Sequence, residues 1–238
     1  MKQWLDSAIE RGAVPVLTGS NGDMDTIGSA IALSSIHPSL LACGLHLGRV
    51  AKRMVEDLQA PYRKIAAKGT AFPEQMGGII IVDAAAPDQV GIDLPDVPRL
   101  ILDHHATNGW EIRDGDIMIQ WDVRATTEMI ATYMLEYAKE ALTEPVRKML
   151  LAGMITDTGR FRHANASSFS ITTKLLEDSS IDYAEFCEQI EREETSPSER
   201  GSLLRGLARS KHHDAGPWSL VTTYAGTLEG RLASMLLG

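Results

Sequence analysis

The residues best able to do chemistry in this 238-residue chain are aspartates and histidines spread over four short segments. Asp23 and Asp25 stand one residue apart in "LTGSNGDMDTIGSA", and Asp83 closes "GGIIIVD". Asp103, His104 and His105 close "RLILDHH", and Asp157 sits in "GMITDTGRF". Taken singly, each has an ordinary explanation. An Asp after a strand commonly caps the next helix, which fits Asp23 ahead of a helix starting near Thr26, and a lone His104 fits a satisfied core histidine. Gathered at one place, however, these carboxylates would repel one another unless a cation lay between them. Carboxylate oxygens joined by an imidazole suit Mn2+ or Mg2+ better than they suit the thiolate-rich sites of structural zinc.

Whether the segments gather depends on the elements that carry them. Short apolar runs at 13–18, 77–83, 98–104 and 116–122 read as strands from their length, β-branched content and flanking Gly or Pro. Helix patterns lie at 3–10, 26–36, 48–59 and 126–139, and "EPVRKMLLAGMIT" has Pro145 in its first turn and apolar residues at 146, 149, 150 and 154. Near-continuous apolar strands alternating with helices predict an α/β fold, a mostly parallel sheet with helices on both faces. Ligands in such sheets bind beyond the carboxyl ends of the strands, and three of the four segments fall there. From about residue 167 onward successive helices follow, and "WSLVTTYAGTLEGRLASMLLG" reads as a strand entering a further helix. The charged "EQIEREETSPSER" reads as a solvated helix face or as the edge of a linker.

Composition narrows the function classes. With 44% apolar and 23% charged residues the chain is ordinary globular material, long enough for one large or two small domains. Its apolar runs are too short to span a bilayer, and "MKQWLDSAIERG" reads as a helix rather than a signal peptide. Cys43 and Cys187 form no CxxC, which points to free thiols in a reducing cytoplasm. A net charge of −9 argues against a broad basic surface for duplex DNA. A small phosphorylated substrate stays compatible if a local cluster or a metal supplies the positive charge.

In order and spacing, "DMDTIGSA", "VDAAAP", "LDHHATN" and "MITDTGRFRHANASS" resemble the four motifs of the DHH phosphoesterase superfamily, over roughly residues 12 to 170. That superfamily includes the RecJ exonuclease, oligoribonucleases that also act on pAp, cyclic dinucleotide phosphodiesterases and family II inorganic pyrophosphatases. The resemblance implies one or two Mn2+ or Mg2+ ions. Asp83 would bridge two ions, Asp25, His104 and Asp157 would complete one ligand set, and Asp23 would bind the other ion. It further implies that Asp103 orients an imidazole, that His105 faces the substrate phosphate, and that the ions activate a water for in-line attack at phosphorus. Arg162 and Arg160 would neutralise charge developing on the phosphate, although surface ion pairs also account for them. Thr126, Thr127 and Glu128 resemble a segment near the family's site, and a capped helix start explains them equally well. In "RGLARSKHH" the cations fit either a phosphate contact or the C-terminal end of a helix.

Two departures shape the expectation. The first motif of many relatives begins with a histidine, and Gly19 stands at that position here, with Asn21, Ser20 or water left to fill the gap. No GGGH-like stretch of the kind that grips substrate in phosphodiester-cleaving relatives occurs in the chain. The resulting partition is a catalytic domain over 1–165, a helical extension over 166–213 and the beginning of a truncated C-terminal domain over 214–238. The expected activity is metal-dependent hydrolysis of a nucleotide or short oligonucleotide, in the exonuclease-like, oligoribonuclease-like branch, with single-stranded nucleic acid as a further partner. The alternative is a weak or inactive subunit of a nucleic-acid-processing assembly. Inorganic pyrophosphatase is disfavoured, because "DMDTIGS" and "DTGRFRH" look closer to the nuclease-like branch.

Overall fold

Six strands form one sheet in the order β3-β2-β1-β4-β5-β6, and every neighbouring pair is parallel. The computed structural model describes residues 1–191 and 196–237. They fall into two compact units, Met1–Ile190 and Glu191–Gly238.

In the first unit α1 (Lys2–Arg11) precedes β1 (Val14–Thr18), α2 (Met24–Ser34), β2 (Leu40–Gly44), α3 (Arg49–Asp57) and β3 (Arg63–Lys64). Then come β4 (Ile79–Val82), β5 (Arg99–Asp103), β6 (Ile117–Gln120), α4 (Thr126–Tyr137), α5 (Glu144–Asp157), α6 (Ala166–Leu176) and α7 (Tyr183–Glu191). The strands expected at 13–18, 77–83, 98–104 and 116–122 are all present, and β2 and β3 add two more on the far side of β1. Strand order reverses between β1 and β4, and at such a switch point the loops after neighbouring strands diverge and open a crevice.

Alternation along the strands divides the core. Val14, Val16, Ile80, Val82, Leu100 and Leu102 pack with residues of α1 to α7 in the larger apolar cluster. Leu17, Cys43, Ile79, Ile81 and Ile101 turn the other way and pack with Ala84, Val90, Trp110 and Met118. The sheet is thus covered on both faces as its apolar strands require, but the helices crowd one side, and connecting segments close the second. Trp110 holds that second cover in place by donating its indole N–H to the Ala84 carbonyl at 2.7 Å.

Helices α2 and α5 approach until backbone meets backbone. A Cβ on Gly28 would lie 2.6 Å from the Met149 carbonyl oxygen, so only glycine allows the contact.

The second unit contains α8 (Pro197–Ala208), an antiparallel hairpin of β7 (Lys211–Ala215) and β8 (Trp218–Thr222), and α9 (Glu229–Leu237). Ser196 caps α8 in a capping box with Glu199, and Gly206 leaves room for Leu232 of α9. β8 followed by α9 matches the expected strand entering a helix. The "RGLARSKHH" cluster does not form one helix end, because Arg205 lies in the last turn of α8 whereas Lys211, His212 and His213 belong to β7. Of "EQIEREETSPSER", the ends lie in α7 and α8, and residues 192–195 fall outside the described residues. Among the described residues no helix is long and apolar enough to cross a membrane.

Candidate metal centre

Four of the expected site residues meet at the carboxyl edge of the sheet. His104 Nε2 lies 3.5 Å from Asp83 Oδ1, 3.6 Å from Asp157 Oδ2 and 3.9 Å from Asp25 Oδ2. Two donor sets compact enough for a cation result, Asp25 with His104 and Asp157, and Asp83 with His104 and His105.

Each side chain is delivered by a different element. Asp83 follows β4 in the left-handed region, at φ 57°, a conformation that Asp tolerates better than most residues. Its amide stays in the ladder through the Leu102 carbonyl, at 2.9 Å. Asp103 ends β5, so His104 and His105 emerge at the sheet's edge. Asp25 lies in the first turn of α2 and Asp157 ends α5; the tight Gly28 contact packs these two helices together. The C-terminal end of α5 carries the negative pole of its helix, which favours a cation beside Asp157.

Asp25 is 1% exposed, yet it is densely hydrogen-bonded. Thr126 N donates to Oδ2 at 2.6 Å, Thr127 N donates to Oδ1 at 2.8 Å, and the Thr127 hydroxyl also donates to Oδ1. Thr126 Oγ1 donates to Asp83 Oδ1 at 3.2 Å. Ala125, at the N-cap of α4, offers no side-chain cap, so the carboxylate of Asp25 caps this helix from another element. Glu128, one residue past Thr127, is buried and accepts from the hydroxyls of Ser167 and Ser168, which ties α4 to the start of α6.

Asp23 is placed differently. It is exposed and caps its own helix, Oδ1 accepting from Thr26 N at 3.0 Å, while Oδ2 accepts from Asn21 Nδ2 at 2.6 Å. It belongs to neither compact donor set. The ordinary capping role is therefore real, and Asn21 is turned toward Asp23 where Gly19 carries no side chain. Asp103 accepts from the imidazole of His105 through an Nδ1–Oδ1 contact of 2.7 Å, so the ring beside it is that of His105. Its other oxygen is buried without a hydrogen-bond partner. His105 stays half exposed. Arg160 and Arg162 lie exposed on the turn that follows Asp157, where Gly159, Arg160 and Phe161 all have positive φ. None of the ion pairs among the described residues joins Arg162 to the acid cluster.

The electrostatics follow from this crowding. Burial pushes the Asp25 carboxyl above its ordinary range, against the opposing hydrogen bonds from Thr127 and Thr126 and the pull of His104. Asp83 is raised well above that range by burial and then by the charges of Asp25, Asp23, Asp157 and Asp103. Asp157 is pushed up to about 6 by burial and by the charge of Asp25, with His104 pulling the other way. Three neighbouring carboxyls that resist ionisation, with an imidazole within 4 Å of each, form a donor set suited to a hard divalent cation. A cleft of about 410 Å3 opens beside them, lined by Asn21, Asp23, Asp25, Arg49, Thr156 and Asp157 among others.

The contacts that sequence reasoning left open are those of Thr126 and Thr127. Polar groups at a helix start were the available signal, but only the packing of α2 against α4 reveals what they bind.

Comparison with known proteins bears on the family and the fold. The profile described as "DHH family, N-terminal domain" matches residues 13–156. An uncharacterized protein of Methanocaldococcus jannaschii is 23% identical over 238 residues, covering 96% of this chain and 70% of that protein. Among solved structures, a candidate family II inorganic pyrophosphatase from Methanococcus jannaschii aligns with a TM-score of 0.63 at 19% identity, over 93% of this chain and 75% of that one. An exopolyphosphatase-related protein from Bacteroides fragilis aligns with a TM-score of 0.60 at 17% identity, over 88% of this chain and 64% of that one. At these identities the structural likeness speaks for the fold alone.

Proposed function

Since the chain belongs to the DHH family, we propose that it is a divalent-metal-dependent phosphoesterase acting on a nucleotide or short oligonucleotide. Family membership supports the coarser part, hydrolysis of a phosphate ester. The single observation that carries the metal dependence is the meeting of Asp25, Asp83 and Asp157 within 3.5–3.9 Å of one imidazole nitrogen of His104. Mn2+ is the preferred ion because the set mixes carboxylates with imidazole, and Mg2+ is the second choice.

Asp25, Asp83, His104 and Asp157 would hold the principal ion, with Asp83 shared toward a second ion near Asp23. Bound divalent ions supply Lewis acidity toward phosphoryl oxygens and lower the pKa of water in the site. The chain's own residues do the rest. Asp103 fixes the ring of His105 through Nδ1, which leaves Nε2 to meet a phosphoryl oxygen. Protonated, that imidazole would offset charge growing on the phosphate, with Arg162 and Arg160 assisting from the turn after Asp157. The cleft beside Asp23, Asp25 and Asp157 has room for a small ester. For the domain organisation, we propose that residues 1–165 carry catalysis and that α6 and α7 extend it within the first compact unit, with α8, β7, β8 and α9 belonging to the second.

A second reading has one specific observation in its favour. Gly19 leaves the Asp23 side without a nitrogen ligand from its own loop, and Asn21 occupies Asp23 Oδ2. A weakly active or inactive subunit of a nucleic-acid-processing assembly would carry such a site.

The test is product release from pAp, a dinucleotide and inorganic pyrophosphate with Mn2+ or Mg2+, in wild type and Asp83→Asn. Nucleotide release that requires the metal and vanishes in the variant is the expected result. Release from pyrophosphate alone would redirect the substrate class, and no release from any substrate with either metal would overturn catalysis in favour of the second reading.

A further inference from the structure

Asp25 reaches the centre from α2, but its orientation is set by α4 and, behind it, by α5. Both Asp25 oxygens accept from the first turn of α4, and Oδ1 takes two of the three donors, the N–H and the hydroxyl of Thr127. Oδ2, which accepts the one remaining donor, Thr126 N, is the oxygen turned toward His104, at 3.9 Å. The Thr127 side chain is itself locked from behind. A Cβ on Gly153 would lie 2.5 Å from Thr127 Cγ2 and 2.8 Å from Thr127 Oγ1, so α5 accommodates this threonine only because residue 153 is glycine. Gly153 lies four residues before Asp157, on the same face of α5 one turn earlier. Thr127 is completely buried, so its hydroxyl, which donates to Asp25 Oδ1, has few rotamers available.

We propose that Thr127 is a positioning residue for the cation centre. Its hydroxyl, held by the notch at Gly153, sets the orientation of Asp25 and ties it to the helix that carries Asp157. The inference rests on the reading of the site as a cation centre and deepens it by naming a residue that acts through Asp25 without touching the ion. Isolated, the α4 start would bond its N–H groups to water and leave Asp25 free to rotate. Packed as it is, the helix presents Asp25 in one pose before any cation arrives, which lowers the ordering needed on binding.

Isothermal titration of Mn2+ alone into wild type, Thr127→Val, Thr127→Ser and Gly153→Ala tests this, with thermal melting of each metal-free protein as the control for folding. Valine keeps the methyl in the notch and removes the hydroxyl. Thr127→Val is expected to weaken Mn2+ binding by roughly 10-fold or more, the scale for groups that orient metal ligands. Thr127→Ser, with its hydroxyl retained, should stay close to wild type, and Gly153→Ala should weaken binding by displacing Thr127. If Thr127→Val binds as tightly as wild type, or if Thr127→Ser falls equally far, the hydroxyl does not position Asp25 and the proposal is overturned. Should Thr127→Val fail to fold, the Ser and Ala variants decide the matter by the same criteria. A wild type that binds Mn2+ yet hydrolyses nothing overturns the assigned activity and leaves this inference standing. A wild type that takes up no Mn2+ overturns the cation centre itself.

Discussion

The two carboxylates of the Asp-x-Asp pair stand at the same helix start and have opposite surroundings. Asp25 is buried, takes three donors from α4 and faces His104. Asp23 is exposed, caps its own helix, and accepts from Asn21. Burying an ionised carboxylate is costly unless it is hydrogen-bonded or paired, and the α4 start supplies those bonds to Asp25. Asp23 has water for the same purpose. On the proposed reading, identical residue type and near-identical sequence position therefore yield one preassembled half of the centre and one open half.

The largest effect that would sharpen this contrast is on turnover. Asp25→Asn is expected to lower kcat/KM beyond the 10- to 100-fold range typical of groups behind metal ligands, whereas Asp23→Asn should stay within about that range. Steady-state assays of the two variants settle it, and equal losses would erase the distinction between the halves.

An intermediate effect lies in stability against pH. Asp25, Asp83 and Asp157 have folded-state pKa values raised above the ordinary carboxyl value, Asp157 to about 6. Their contribution to the metal-free protein is therefore intact below about pH 4 and is lost as pH rises through the folded values. Asp116 works in the opposite sense. Burial raises it, but hydrogen bonds from Arg99 and Arg113 outweigh burial and hold it at about 2, so its contribution is lost only in stronger acid. Between pH 4 and 7 the melting temperature of the metal-free protein should fall more steeply in wild type than in Asp157→Asn. Mn2+ at 100 times its Kd should restore about 2.7 kcal/mol at neutral pH. Scanning fluorimetry with and without Mn2+ gives both readings, and parallel pH slopes for the two proteins would contradict the crowding account.

The smallest expected change comes from filling the open half. Gly19→His should tighten a second Mn2+ several-fold, read from binding stoichiometry by titration. A Cβ there would lie 3.1 Å from Asn21 Oδ1 and from the Asp83 carbonyl oxygen, so Asn21 must shift first. A variant that binds the second ion no better than wild type would mean that the open half is limited by something other than the missing nitrogen.

How far the sequence anticipates this arrangement depends on whether the signal is local. β1, β4 and β5 are legible because their runs are apolar and bounded by turn residues, and acids stand at or soon after their ends. β2, "LLACG", lacks β-branched residues, β3 is two residues long, and β7, "KHHDA", is exposed throughout and polar in all but its last residue, so pattern reading passes over all three. The same limit governs the site. Asp25, Asp83, His104 and Asp157 are visible from their positions after strands or helix ends, whereas the bond from Thr127 to Asp25 spans 102 residues and exists only through packing. The ring oriented by Asp103 belongs to His105, two residues away, a choice between adjacent histidines that spacing does not decide.

Asp83 leaves its strand with φ at 57°, where glycine sits without strain and most other residues do not. A glycine there would give the loop an easier route and would remove the carboxylate that meets His104. The left-handed turn and the carboxylate that meets His104 thus place opposite demands on this one position.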